Sequence, residues 1–213
     1  AGYVAESLTL ASSYAYADVN GGNALVGGVE TDAEVTYENT YTLAKKDGEN
    51  AKTEAQFFSG EVAWLLGGGD GERNSAWGQE KGKLPTLIAN KPVFKVSLAK
   101  AVAPEGAEVA VTDGSFGVPG ETDAEGGTWV YVSSGEKLEI TTVTPGSTVY
   151  GISFLNPLEV TEESRQTTGD KTTTVYAVGP ITANYSGVYT VALDVLPDYR
   201  WYDANPESST FAI

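Results

Sequence analysis

Along the first 50 residues, apolar and polar positions alternate in short runs that end on glycine and asparagine. Leu8, Leu10, Tyr14, Tyr16 and Val19 fall mostly on alternate positions before Asn20-Gly21-Gly22-Asn23 ends the run. Ala24 to Val29 is a second run with Gly27-Gly28 inside it, and Val35, Tyr37 and Tyr41 mark a third. Runs this short fit stacked rungs as well as a hairpin sheet. Either needs something to stack upon, because short strand pairs are marginal alone.

The period then changes. Thr53 with Gln56 three positions later forms a capping box, and Phe58, Val62, Leu65 and Leu66 make one apolar stripe at helical spacing. Gly67-Gly68-Gly69 ends the helix, so one amphipathic helix is predicted over residues 53–66. Its role would be to cover an exposed sheet edge or an open stack end.

From about Pro92 the runs lengthen. Val93–Leu98, Glu108–Val111, Thr128–Val132, Lys137–Val143, Thr148–Phe154, Thr172–Val178, Gly187–Val195 and Thr210–Ile213 each read as a strand. Turn signals such as Asp113-Gly114, Ser134-Gly135 and Gly169-Asp170 separate them. The predicted fold is therefore all-β with one short α-helix. Residues 1–90 form a β-solenoid end or small β domain capped by that helix, and residues 91–213 form an immunoglobulin-like β-sandwich.

Charge sharpens that division. The chain holds 13 Lys and Arg against 29 Asp and Glu, a formal net charge of -16. Such a surface repels phosphate backbones and anionic lipid, so nucleic-acid binding and membrane insertion are not expected. Residues 1–66 carry 10 acidic and 3 basic side chains, residues 67–100 carry 3 and 6, and residues 101–213 carry 16 and 4. A basic join between two acidic blocks is complementary to both neighbours.

Cysteine, histidine and methionine are absent. Disulfides, thiolate nucleophiles and Ser-His-Asp chemistry are thereby excluded. The missing methionine reads as a processed chain or an excised piece. No apolar run reaches the length of a membrane span.

Three segments carry resemblances. Ala11 to Gly28 (ASSYAYADVNGGNALVGG), with ENTYTLA at Glu38 to Ala44, resembles a rung of the GLUG-type repeats of bacterial surface proteins. Thr53 to Leu87 is similar to the sequence that follows the last rung of such arrays, through Phe57, Gly60-Glu61-Val62-Ala63, Leu65-Leu66, Trp77-Gly78-Gln79 and Pro85-Thr86-Leu87. Ser186 to Ile213 resembles the last two strands of a bacterial Ig-like repeat, through Gly187, Tyr189, Val191, Pro197, Tyr199, Trp201, Asp203, Phe211 and Ile213. The resemblances imply a secreted, wall-attached protein of a gut-type Gram-positive organism, with a solenoid end joined to an Ig-like module. Neither family carries catalytic residues to transfer.

Candidate sites follow from residue chemistry. Trp129 and Tyr131 share one strand face, and Trp201 and Tyr202 crowd one segment, so each pair is a candidate platform for a pyranose ring. The competing reading makes Trp129 or Trp201 a core tryptophan of the sandwich. Asp18, Asn20 and Asn23 on one turn, and Asp70 with Glu72 on another, offer hard oxygen ligands to Ca2+. Neither spacing completes an EF-hand loop, and Asx residues in turns also bond their own backbone. Ca2+ is the one cofactor considered. Lys95, on the first predicted sandwich strand, is the natural lysine for an intramolecular isopeptide bond. The tract Gly67 to Glu72 lacks the Gly-Lys-Ser/Thr ending of a phosphate loop and follows a helix.

The expected function is a non-catalytic extracellular structural or adhesin module, a stalk or display element at a bacterial cell surface. Two alternatives stand beside it: a filament or pilus subunit that assembles by donor-strand addition of Tyr3 to Leu10, and a carbohydrate-binding module. The expected partners are host or microbial glycans or proteins, or copies of the chain.

Overall fold

The structure, a computed structural model of the 213-residue chain, describes residues 2–17, 25–43, 50–69, 76–88, 91–146, 150–154 and 158–182. It also describes the backbone of 187–189 and 191–195. The fold is mostly β with two short helices.

The N-terminal part is built from β1 (Tyr3–Val4), β2 (Ser7–Ala15), β3 (Gly28–Val29), β4 (Glu34–Leu43) and β5 (Ala51–Lys52). β1 pairs with β3, β2 with β4 and β4 with β5, all parallel. Ser7 lies opposite Glu34 and Tyr14 opposite Tyr41, so the second pass of the chain lies on the first in one continuous register. Alternation buries one side of each pass. Leu8, Leu10, Val35 and Tyr37 pack around Val4, Leu25 and Val26, while Ser7, Thr9 and Ala11 stay exposed. Ser12 (φ 44) and Asn39 (φ 45) then turn both strands through the left-handed region at equivalent places. Beyond them Tyr14, Tyr16, Tyr41 and Leu43 join a second cluster around Phe57, Val62 and Leu66. This is the small β domain of the expectation and not a solenoid: two passes and the short β5 are stacked, and helices cover them.

The predicted single helix is two, α1 (Glu54–Phe58) and α2 (Glu61–Leu66). The capping box is present: the Gln56 N–H donates to Thr53 Oγ1, and the Thr53 N–H donates to Gln56 Oε1 at 2.8 Å. The break falls at Gly60, whose φ of 92 is left-handed. A Cβ there would come within 2.3 Å of the Phe116 ring and 2.8 Å of Tyr131 Cβ, so the close approach requires glycine. The break also rotates the apolar stripe. Phe57, Val62 and Leu66 are fully buried, whereas the expected Phe58 and Leu65 are only half-buried. A short antiparallel pair, β6 (Trp77–Gly78) and β7 (Thr86–Leu87), leads to the second part.

There, β8 (Val93–Leu98), β9 (Glu108–Asp113), β10 (Glu121–Thr122), β11 (Thr128–Ser133), β12 (Leu138–Pro145), β13 (Tyr150–Phe154), β14 (Val160–Thr168), β15 (Lys171–Val178), β16 (Gly187–Tyr189) and β17 (Val191–Val195) follow. One sheet has the order β10-β11-β8-β16 and the other β14-β15-β12-β9. Phe94, Val96, Leu98, Val130 and Val132 of the first face Val111, Leu138, Ile140, Tyr176 and Val178 of the second in one buried core. The predicted strand Gly187–Val195 is divided: β16 runs parallel to β8, and β17 pairs antiparallel with β13. β14 was not predicted, because its VTEESRQTT sequence is polar on both faces. It is an edge strand, exposed from Thr161 onward, so it carries none of the apolar alternation that marks a half-buried strand. The expected strand Thr210–Ile213 lies outside the described residues. Among the described residues, no helix is long and apolar enough to cross a membrane.

Candidate functional site: the aromatic joint between helix and sheet

The alternation of β8 sends Phe94, Val96 and Leu98 into the sandwich core and leaves Val93, Lys95 and Ser97 on the outer face. In the antiparallel pair with β11, Val93 lies opposite Ser133, Lys95 opposite Tyr131 and Ser97 opposite Trp129. Directly opposed residues share a face, so all six belong to one outer surface. α2 docks on it. Ala63, Trp64, Val93, Phe116 and Tyr131 form a buried cluster, with Leu65 and Trp129 packed against it.

Aromatic geometry organises this cluster. The Trp64 and Tyr131 ring centres are 5.5 Å apart with a 47° tilt, and the Trp129 and Tyr131 rings meet edge to face at 5.3 Å. The Lys95 ammonium lies 4.6 Å from the Trp129 ring centre and 5.3 Å from that of Trp64. Both rings present their negative faces to the charge, an attraction of about 0.5–2 kcal/mol that strengthens as water is excluded.

A polar clasp lies beside the rings. Gln79 is fully buried, and its Nε2 donates to the carbonyls of Phe57 on α1 (2.8 Å) and of Lys83 (2.7 Å). The Ser133 hydroxyl of β11 donates to the Gln79 carbonyl at 3.1 Å, and Ser115 Oγ accepts from the Ser133 N–H at 2.9 Å. One glutamine thus ties α1, the loop before β7 and the sandwich together. Gln79 Oε1 and Trp64 Nε1 are buried with no hydrogen-bond partner among the described residues.

On its other side, the helix pair closes the stack. Tyr14 and Tyr16 pack on Phe57 at 5.6 and 5.2 Å, Tyr14 meets Trp77 at 5.7 Å, and the Tyr14 hydroxyl donates to the Pro85 carbonyl at 2.8 Å. Lys52 pairs with Glu61 at 2.7 Å, and Gln56 Nε2 donates to the same carboxylate oxygen at 3.0 Å. Burial pushes the Tyr14 hydroxyl above its ordinary pKa, and burial with the nearby Glu61 carboxylate does the same for Tyr41.

Tyr131, one half of the first sugar platform, is 6 % exposed and covered by Trp64; its partner Trp129 is half-buried. Lys95, the isopeptide candidate, is held against two indole rings. Trp201 and Tyr202 lie outside the described residues, as do the Ca2+ candidates Asp18, Asn20, Asn23, Asp70 and Glu72. Among the described residues, no group of three or more His, Cys, Asp or Glu side chains could hold a metal ion. Trp64 and Phe116 carry no site signal in the sequence, and Gln79 stands there only within the Trp77-Gly78-Gln79 match. Trp64 interrupts the expected helix stripe and Phe116 is a lone aromatic in a glycine-rich turn, and both mark a second surface meeting the first.

Comparison with known proteins finds no match to a family model, to a curated protein or to a solved structure.

Proposed function

We propose that this chain is a non-catalytic structural module of an extracellular bacterial surface protein, a stalk or display element. The observation that carries the reading is the joint between helix and sheet. Trp64, Lys95, Trp129, Tyr131 and Gln79, which include the richest chemistry among the described residues, all serve to fasten one part of the chain to the other. A module that holds its neighbours at a fixed distance needs such a joint, since a bare linker would leave its two parts free to move. The excess of 29 acidic over 13 basic side chains supports solubility in a crowded external layer.

Two measurements test this reading. Stretched between its ends in single-molecule force spectroscopy, the chain is expected to yield in one rupture that frees stack and sandwich together. Separate events, with the stack opening first at low force, refute the stalk. Protease treatment of intact source cells is expected to release peptides of this chain; release only after lysis refutes the surface location.

A further inference from the structure

We propose that Lys52 and Gln56 join spontaneously in an intramolecular isopeptide bond, with Glu61 as the group that moves the protons. This goes beyond the stalk reading and does not depend on it. Three side chains meet on one carboxylate oxygen: Glu61 Oε1 accepts from Lys52 Nζ at 2.7 Å and from Gln56 Nε2 at 3.0 Å. An amine nucleophile and the leaving nitrogen of an amide are thus neighbours on one proton acceptor. The amide fits in one orientation. A carboxylate accepts and a backbone N–H donates, so Nε2 faces Glu61 while Oε1 accepts from the Thr53 N–H at 2.8 Å. The Thr53 hydroxyl donates to the same Oε1 at 3.2 Å. Thr53 therefore gives two donors to the oxygen that gains negative charge when Lys52 Nζ adds to Gln56 Cδ.

Local structure holds these groups together and keeps most water from them. Lys52 ends β5, Thr53 caps α1, Gln56 lies in the first turn of α1 and Glu61 begins α2. The Lys52 and Glu61 side chains are 17 % and 12 % exposed, and the Tyr41 ring centre lies 5.6 Å from Nζ. Partial removal of water makes the charged pair less favourable and eases proton transfer within it. The step balances without a further reactant. Glu61 takes a proton from the Lys52 ammonium, and the freed electron pair forms the Nζ–Cδ bond. The Cδ–Nε2 bond then breaks with its electron pair on nitrogen, Glu61 returns the proton, and that nitrogen leaves as ammonia. The second proton shed by Nζ passes through the same carboxylate to water. The product amide keeps one N–H for Glu61, and its oxygen keeps the Thr53 donors. Lys95, the isopeptide candidate of the sequence, lies instead against two indole rings, which offer no acyl group. A bond at Lys52 would fasten the last strand of the stack to the helical layer that covers it.

The test is intact mass spectrometry of the full chain, followed by tryptic mapping. Folded wild type is expected to weigh one ammonia, about 17 Da, less than its sequence. Trypsin should fail to cut after Lys52, leaving residues 47–73 as one cyclised peptide. Glu61→Gln and Lys52→Arg should each show the full mass of their own sequence, and in Glu61→Gln the cut after Lys52 should return. Wild type kept in urea from synthesis onward should also hold its full mass and lose ammonia only after refolding, a result that needs no variant to fold. Full mass in folded wild type after prolonged incubation, or an ammonia loss that maps outside residues 47–73, would overturn the proposal. So would a cross-link that forms equally in urea or in Glu61→Gln.

Discussion

Trp64 on α2 and Tyr131 on β11 stand with ring centres 5.5 Å apart, and between them the helix pair meets the sandwich. Each belongs to a different part of the chain, and each is over nine-tenths buried in the cluster they share with Ala63, Val93 and Phe116. The same helix pair turns Phe57, Val62 and Leu66 toward the stack. Two β assemblies therefore share one small helical layer, with one apolar side directed to each. Trp64→Ala removes the largest ring of the joint and should cost about 3–5 kcal/mol of unfolding free energy, measured by urea denaturation. A loss below about 1 kcal/mol would mean that the joint is not packed as described.

Lys95 supplies the charge that lies on both indoles. Lys95→Gln keeps most of the stem and removes the charge, and should cost about 1 kcal/mol and change the tryptophan emission. Lys95→Arg should retain most of the stability, since a guanidinium stacks on the same faces. Equal losses in both variants would speak against a charge–ring contribution.

Gly60 lies where the helix break touches Phe116 and Tyr131. Gly60→Ala adds a Cβ into a 2.3 Å contact and places it on a left-handed backbone, and should cost about 2 kcal/mol or more in the same urea experiment. A neutral result would require the helix to continue unbroken.

Burial holds Tyr14, Tyr41 and Tyr176 above their ordinary pKa of 10.0, with Glu61 adding to the effect at Tyr41. A folded pKa raised above the unfolded value means that the native state keeps its proton longer. The associated stability is complete below about pH 10 and falls as pH rises through the folded values. The urea midpoint should therefore hold up to about pH 10 and drop as pH rises further, with tyrosinate absorbance appearing late in folded protein and early in urea. Coincident titration in both states would contradict the burial of these rings.

Local chemistry made much of this fold legible. Thr53 and Gln56 announced their cap, Gly67 to Gly69 their stop, and the alternation of β8 and β11 its inner and outer faces. Spacing correctly put Trp129 and Tyr131 on one face, but it could not tell that α2 covers Tyr131, because that contact joins residues distant in sequence. The same limit hid the break at Gly60, which answers to Phe116 and not to helix propensity. β14 escaped notice because neither of its faces is apolar, and the division of Gly187–Val195 because its two halves answer to β8 and β13. The parallel stack was readable only as an ambiguity, since alternating runs specify strands without specifying the direction of their partners.

Stack and sandwich are joined through the helical layer that packs on both. Hydrogen exchange followed by mass spectrometry at increasing urea tests it most directly, comparing β4 in the stack with β12 and β15 in the sandwich. Protection in all three strands should be lost at the same urea concentration, and Trp64→Ala should let β4 exchange before β12 and β15. Early exchange of β4 in wild type, with β12 and β15 still protected, would contradict it.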